Sequence, residues 1–358
     1  MISRTMDFTK YKDDFTTEAT KMGLSKNNIQ HCLDYAEVLL SNNVPVIYNP
    51  SHLSELLGYK KEFLKKAALH TSYFYRDFEI TKKNGKKRSI SEPLPSLKEI
   101  QIWILKNILE KIPVSSFAKA YKAKTSLMEN LKFHKNQPKV FTLDLENFFP
   151  SLKMELVEKV FLELGYSKMV SNLLAKLCTK DRSLPQGAPT SPYLSNLIFK
   201  EADTVIADFC KQRKIRYTRY ADDLSFSGDF DEKELLEKVR EAVENLNLRI
   251  NESKTKLMTP NTRQTVTGIV VNHKPQVVFH KRNTLRQVMY YIKKFGLDEH
   301  RVYKEIRQAN YLEHLLGKIN FVLQINPEDE EFAAYKKMLI DLKKKQDSKV
   351  KKPLLVLV

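Results

Sequence analysis

The stretch Ile215–Gly228, IRYTRYADDLSFSG, joins two short runs of aromatic and β-favouring residues at an acidic pair, Asp222-Asp223. Apolar arms interrupted by a short polar bend predict two strands with both carboxylates where they meet. Upstream, Lys139–Leu145 (KVFTLDL) reads as a further strand that closes on an acid, Asp144. Carboxylates at strand ends can converge on one point from distant parts of a chain. Hard cations such as Mg²⁺ want oxygen ligands and typically take one or two carboxylates, with water or phosphate supplying the rest. Taken singly, each Asp reads first as an ordinary turn former.

Outward from this centre the charge is uneven. The 358 residues carry 61 Lys and Arg against 43 Asp and Glu, a formal net charge of +18. Such a surface favours a polyanionic partner, because each neutralised phosphate releases counterions. Residues 60–139 hold nineteen basic residues against seven acids, residues 140–230 twelve against twelve, and residues 281–358 seventeen against ten. Two basic blocks therefore flank a neutral centre where the acids gather, as expected of a catalytic site inside a nucleic-acid groove. Cys32, Cys178 and Cys210 are far apart and lack a C-x-x-C spacing. That argues against a disulfide framework or a zinc knuckle and for a reducing cytoplasm. No run of about 18 apolar residues is present, so no membrane partner is expected. The terminal PLLVLV (353–358) is too short to span and is expected to dock on the protein's own surface or on a partner.

Residues 1–75 read as mostly helical, with apolar positions recurring at three- and four-residue intervals in 27–42 and 51–70, and with Ser51 as an N-cap. Phe78–Pro93 (FEITKKNGKKRSISEP) predicts a β-hairpin turning at Asn84-Gly85. Residues 265–272 (TVTGIVVN) and 276–280 (QVVFH) predict another hairpin, and the chain reads as helical again after Lys281. Residues 191–210 read as one helix capped by Thr190 or Ser191.

The wording of these segments carries a resemblance. YADD at 220–223 resembles the Y-x-D-D box of reverse transcriptases, and FTLDLENFFPSL at 141–152 their first metal-binding motif. LPQGAPTSPYLSNLIF at 184–199 resembles their LPQG-x-x-x-SP motif, LRINESKTKL at 248–257 the lysine-bearing segment that follows, and NGKKRSISEP at 84–93 the basic fingers hairpin. The order and spacing also fit, over roughly residues 76–275. The DLENFFPSL wording, the helix-rich N-terminus and the triplet Val266-Thr267-Gly268 are similar to those of bacterial retron reverse transcriptases. An N-A-x-x-H segment of that family has its nearest match at Asn130–His134, with Leu131 in place of Ala.

The resemblance implies an α+β right-hand polymerase. A helical N-terminal extension would occupy 1–75, fingers and a palm with an antiparallel sheet 76–275, and a helical thumb with an RNA-binding region 276–358. It implies two Mg²⁺ ions, or Mn²⁺ in their place, on Asp144, Asp222 and Asp223 with the carbonyl of Leu145. Phe149 matches the aromatic steric gate against a 2′-hydroxyl, while Phe148 reads as core. Gln186 and Gly187 match the loop that approaches the incoming nucleotide, Arg88 the fingers arginine on the triphosphate, and Lys254 the lysine near the leaving group. Nucleic-acid contacts are expected from Lys86, Lys87, Asn130, His134, Val266, Thr267, Gly268, Arg286, Lys293 and Lys294. Lys86 and Lys87 read equally as a solvated hairpin tip. Tyr290, Tyr291 and Phe295, among Arg286, Lys293 and Lys294, read equally as the core face of an amphipathic helix.

Retron enzymes copy part of a dedicated structured RNA, priming from a 2′-hydroxyl of that RNA, and leave branched RNA–DNA. The implied partners are therefore that RNA and its DNA product, dNTPs, an effector or toxin protein encoded nearby, and a host RNase H, in the setting of anti-phage defence. The rivals are a group II intron-like, diversity-generating or phage-exclusion reverse transcriptase, and a catalytically silent RNA-binding scaffold of the same fold.

Overall fold

The computed structural model describes residues 8–81 and 85–350, with side chains as far as residue 346. Four helices open the chain: α1 (Phe8–Lys21), α2 (Lys26–Ser41), α3 (Pro50–Leu57) and α4 (Lys61–Leu69). Local chemistry sets their limits. Ser25 accepts a hydrogen bond from the Asn28 amide to start α2. Asn49, not Ser51, caps α3: its side chain accepts from His52 N, and Pro50 follows at the first helical position, where a missing N–H costs nothing. Tyrosines bind this region to the chain near residue 166. The Tyr166 hydroxyl donates to the Pro45 carbonyl at 2.8 Å, and the Ser167 amide donates to the Tyr35 hydroxyl at 3.2 Å.

Strands β1 (Tyr75–Thr81) and β2 (Lys87–Pro93) form the expected antiparallel hairpin. Their last pair is Thr81 with Lys87, so the connection is longer than a two-residue turn. Asn84, proposed for that turn, lies outside the described residues. Then come α5 (Pro95–Asn107), α6 (Leu127–Leu131), β3 (Lys139–Asp144), α7 (Phe148–Ser151), α8 (Met154–Glu163), α9 (Lys168–Cys178), α10 (Ser191–Ile198) and α11 (Lys200–Gln212). The single helix expected over 191–210 is thus two, parted at Phe199. Neither Thr190 nor Ser191 makes a capping bond; both hydroxyls are buried without a partner. Next are β4 (Arg216–Tyr220), β5 (Asp223–Gly228), α12 (Glu232–Glu244) and β6 (Lys256–Met258). The sheet order is β4-β5-β3-β6, which puts the two acid-bearing strands β5 and β3 side by side at its centre.

The remaining elements are β7 (Thr265–Val266), β8 (Ile269–Val270), β9 (Gln276–Val277), α13 (Phe279–Phe295), α14 (Leu297–Tyr303), α15 (Tyr311–Ile325) and α16 (Glu330–Val350). The hairpin expected over 265–280 is a three-stranded antiparallel meander. The extra turn falls at Thr267-Gly268, both with positive φ (46° and 78°), as a two-residue primed turn requires.

The chain forms two compact units. One contains the chain up to Thr125, Thr142–Leu224 and Phe230–Lys256; the other contains Ser126–Phe141, Ser225–Asp229 and the chain from Leu257 onward. In the first, α9 packs between α4, α5 and α8, burying Val170, Leu174 and Leu177 completely, each worth roughly 1.5–3 kcal/mol of transfer free energy. In the second, Leu285, Met289 and Ile292 of α13, Leu315, Ile319 and Val322 of α15, and Phe332 and Leu339 of α16 share one apolar cluster with Val266, Ile269 and Val277.

Candidate active site

Three local devices bring Asp144 and Asp222 to one place within the first unit. The Leu145 amide donates to the Asp222 carbonyl at 3.1 Å, which joins the end of β3 to the β4–β5 bend. The Asn251 amide donates to the Asp144 carbonyl at 2.8 Å, and Leu145 bridges Ile250, which brings the segment before β6 alongside. Inside the bend, Ala221 is buried and takes a left-handed φ of 59°.

That bend rests on a buried network absent from any motif reading. Arg219 is wholly excluded from solvent, and its guanidinium donates to both Asp203 oxygens, at 2.9 and 2.7 Å. A further nitrogen donates to Asn196 Oδ1 at 3.0 Å and to the Ala221 carbonyl at 3.1 Å, and the plane lies 4.3 Å from the Phe199 ring centroid. Tyr217 adds its hydroxyl to Asp203 at 2.7 Å. The fork geometry of arginine allows one side chain to neutralise Asp203 and still hold the carbonyl just ahead of Asp222. The only sequence signal was strand alternation, which puts Arg219 on the same face as Tyr217 and Ala221; a charged residue on a buried face needs a partner.

A cavity of about 770 Å³ opens over the acids. Asp144, Leu145 and Asp222 line it, together with Arg88, Phe149, Gln186, Gly187 and Lys254, so the residues expected to hold metal and nucleotide, Asp223 apart, meet in one space, and Lys86 joins them. Asp223 stands next to that space and is not among its lining residues. Lys254 Nζ lies 2.7 Å from Asp144 Oδ1. Tyr121 also lines the cavity, although nothing in KAYKAKTS marked it.

The β1–β2 hairpin is attached directly to the loop carrying Gln186. The Ser91 amide donates to the Gln186 carbonyl at 2.8 Å. Gly187 has φ 125°, and a Cβ there would lie 2.7 Å from the Ser91 carbonyl oxygen, so only glycine fits this close approach. Lys180 Nζ bonds both Asp77 oxygens at 2.6 Å and secures the hairpin base. Arg88 of β2 is thereby held over the cavity.

Burial pushes the Asp222 carboxyl upward, and the charge of Asp144 adds to that, with Lys254 and Arg88 pulling the other way. Asp223 is pushed up to about 7, first by burial and then by repulsion from Asp222 and Asp144. Removal from water and like charge both disfavour the ionised forms, and a bound cation would relieve both. Among the described residues no three His, Cys, Asp or Glu side chains form a ready-made metal cage. The carboxylate oxygens of Asp144, Asp222 and Asp223 are hard donors of the kind a divalent cation takes.

The other expected contacts are placed differently. Asn130 and His134 are completely buried, and His134 Nδ1 shares a 2.8 Å hydrogen bond with Ser227 Oγ. Neither offers surface to a nucleic acid; they brace the inside of the second unit. Val266 is likewise core, leaving Thr267 and Gly268 at the turn. Arg286 is tied to Glu331 at 2.7–2.9 Å and sits over Phe332. Lys87 pairs with Glu79 at 2.6 Å. Lys293 and Lys294 are exposed on α13, with Lys294 over the exposed rings of Tyr290 and Phe295. Those rings, expected equally as core, face outward, whereas Leu285, Met289 and Ile292 supply the core face.

Residues 80–296 match the family model described as reverse transcriptase (RNA-dependent DNA polymerase). The retron Ec86 reverse transcriptase of Escherichia coli is 32% identical over 298 residues, covering 79% of this chain and 86% of that protein. The retron Mx162 reverse transcriptase of Myxococcus xanthus is 30% identical, covering 80% of this chain and 66% of that protein. The retron Se72 reverse transcriptase of Salmonella heidelberg is 32% identical, covering 72% of this chain and 71% of that protein.

Proposed function

The chain belongs to the reverse transcriptases, within them to the retron enzymes, and from that premise we propose that it copies a structured RNA, self-primed from a 2′-hydroxyl, into branched RNA–DNA. RNA-directed DNA polymerisation is the activity of the family. The observation that carries the mechanistic reading is the meeting of Asp144, Asp222, Arg88, Gln186, Phe149 and Lys254 around one cavity.

Two Mg²⁺ ions, or Mn²⁺ in their place, would be held by Asp144, Asp222 and Asp223 with the Leu145 carbonyl, and would supply activation of the attacking hydroxyl and stabilisation of the leaving pyrophosphate. The protein's own groups do the positioning. Arg88 presents a planar fork to phosphate oxygens. Gly187 lets backbone approach the nucleotide, and the Gln186 amide can bond to sugar or phosphate. The Phe149 ring forms a wall beneath the sugar that overlaps a 2′-hydroxyl. Lys254 would stabilise charge or deliver a proton at the leaving pyrophosphate.

Thr267, Gly268, Lys293 and Lys294 are the exposed or turn-forming positions proposed for RNA contact in the second unit. An effector protein encoded nearby, template removal by a host RNase H and a role in anti-phage defence follow from family resemblance. No described helix is long and apolar enough to cross a membrane.

Primer extension on an RNA template tests the core of this reading. Wild-type protein extends a DNA primer only with a divalent cation present, and the Asp222→Asn, Asp223→Asn double variant does not extend it. Extension by the double variant at the wild-type rate would remove these carboxylates from the mechanism.

A further inference from the structure

Tyr121 opens onto the nucleotide cavity with its backbone at φ 59°, a left-handed conformation that a bulky side chain rarely adopts. Strain of this kind, of order 1–3 kcal/mol, persists only where the surroundings over-determine it. Here they do. Asn196 Nδ2 donates to the Ala120 carbonyl, immediately ahead of Tyr121, at 2.9 Å, and Asn196 Oδ1 accepts from Arg219 at 3.0 Å. The preceding residues run alongside β4, with Lys119 N donating to the Arg219 carbonyl at 2.7 Å and Arg219 N to the Phe117 carbonyl at 2.9 Å. The arginine that holds Ala221 ahead of Asp222 thus also fixes, through Asn196, the residue ahead of Tyr121.

What this device delivers is a ring beside Phe149. The two ring centroids lie 6.2 Å apart, tilted by 45°. On another side Phe149 meets Phe148, 5.4 Å away, which is buried against Phe199 at 6.2 Å. Phe148 cannot yield, because it is core. Tyr121, 43% exposed, is the neighbour not held by core packing, and its position is set by the strained backbone. We propose that Tyr121 is a positioning residue for sugar selection: its ring restricts Phe149 to the orientation that collides with a 2′-hydroxyl. The proposal rests on the reading of Phe149 as the sugar gate. The operative part is the ring; the phenol, raised by burial and then by the charge of Asp222, keeps its proton.

The test is single-nucleotide addition by the full chain on an RNA template with a DNA primer and Mg²⁺, measuring kcat and KM for a dNTP and the matching rNTP. Tyr121→Ala raises the rNTP-to-dNTP ratio of kcat/KM by at least about tenfold, the scale of one lost packing constraint in a binding pocket. Tyr121→Phe leaves the ratio at the wild-type value. Both nucleotides are assayed on one preparation, so a reduced folded fraction cancels from the ratio. Phe149→Val separates the two levels of the argument. If Phe149→Val relaxes selection and Tyr121→Ala lowers both substrates alike, Tyr121 does not position the gate. If neither variant relaxes selection, the gate reading itself fails and the proposal with it. Relaxation by Tyr121→Phe equal to that of Tyr121→Ala would overturn the assignment to the ring.

Discussion

Replacing Asp223 with Asn should make the metal-free protein more stable while removing its activity. In the folded chain the Asp223 carboxyl is pushed from the ordinary 3.8 up to about 7 by burial and by repulsion from Asp222 and Asp144. The unfolded chain releases this proton near its ordinary value, whereas the folded chain retains it until about pH 7. Between those limits the folded state binds more protons than the unfolded one, so stability falls as pH rises and levels off above the folded value. At about 1.4 kcal/mol per pKa unit, the full penalty above pH 7 approaches ~4 kcal/mol, and partial solvent access reduces it to about 2–4 kcal/mol. Asparagine fills the same volume without charge. In EDTA, Asp223→Asn should match wild type near pH 4 and exceed it by several degrees in Tm at pH 8. Divalent cation should then raise the wild-type Tm more than that of the variant. Thermal denaturation at a series of pH values reads all of this. A variant no more stable than wild type at pH 8, or an advantage independent of pH, would refute the electrostatic account of the site.

Further outcomes follow from single contacts. Gly187→Ala puts a methyl 2.7 Å from the Ser91 carbonyl, so the hairpin must shift; KM for dNTP should rise about tenfold or more, the scale of a small displacement at a reacting site, and an unchanged KM in steady-state extension would contradict it. Arg219→Met leaves Asp203 buried without its cation; removing one partner of a buried pair costs about 3–5 kcal/mol, measurable by urea denaturation, and a loss below about 1 kcal/mol would show that the pair is not structural. Arg88→Ala should raise KM for dNTP with a smaller effect on kcat, and a change confined to kcat would move Arg88 from ground-state binding to the chemical step.

The acid-bearing strands and their neighbours were legible because each is short, apolar and ended by its own acid or turn residues. YADD, FTLDL and LPQG needed only local pattern and order to be placed around one site. The fingers hairpin was legible for the same reason. What stayed hidden depends on packing between distant segments. Tyr121 sits in an unremarkable basic stretch, and its importance arises from Asn196 and Arg219, far along the chain. Helix capping was misread at Ser51 because Asn49-Pro50 competes more strongly for the same end. The break at Phe199 leaves no mark in a continuous apolar pattern. Asn130 and His134 enter through the N-A-x-x-H resemblance, and pattern alone does not separate a polar residue open to RNA from one buried inside the fold, as both are. The Glu331 carboxylate that pairs with Arg286 comes from α16, 45 residues along the chain, and no local pattern announces it.

The most direct test is to express the chain with its neighbouring genomic RNA and analyse total nucleic acid before and after RNase and debranching treatment. The account predicts a discrete small DNA joined to RNA through a 2′-linkage, absent when Asp222→Asn and Asp223→Asn are combined. Metal-dependent extension of an ordinary primer on an RNA template, with no branched product from the native RNA, would keep the polymerase and contradict the self-primed reaction proposed for it.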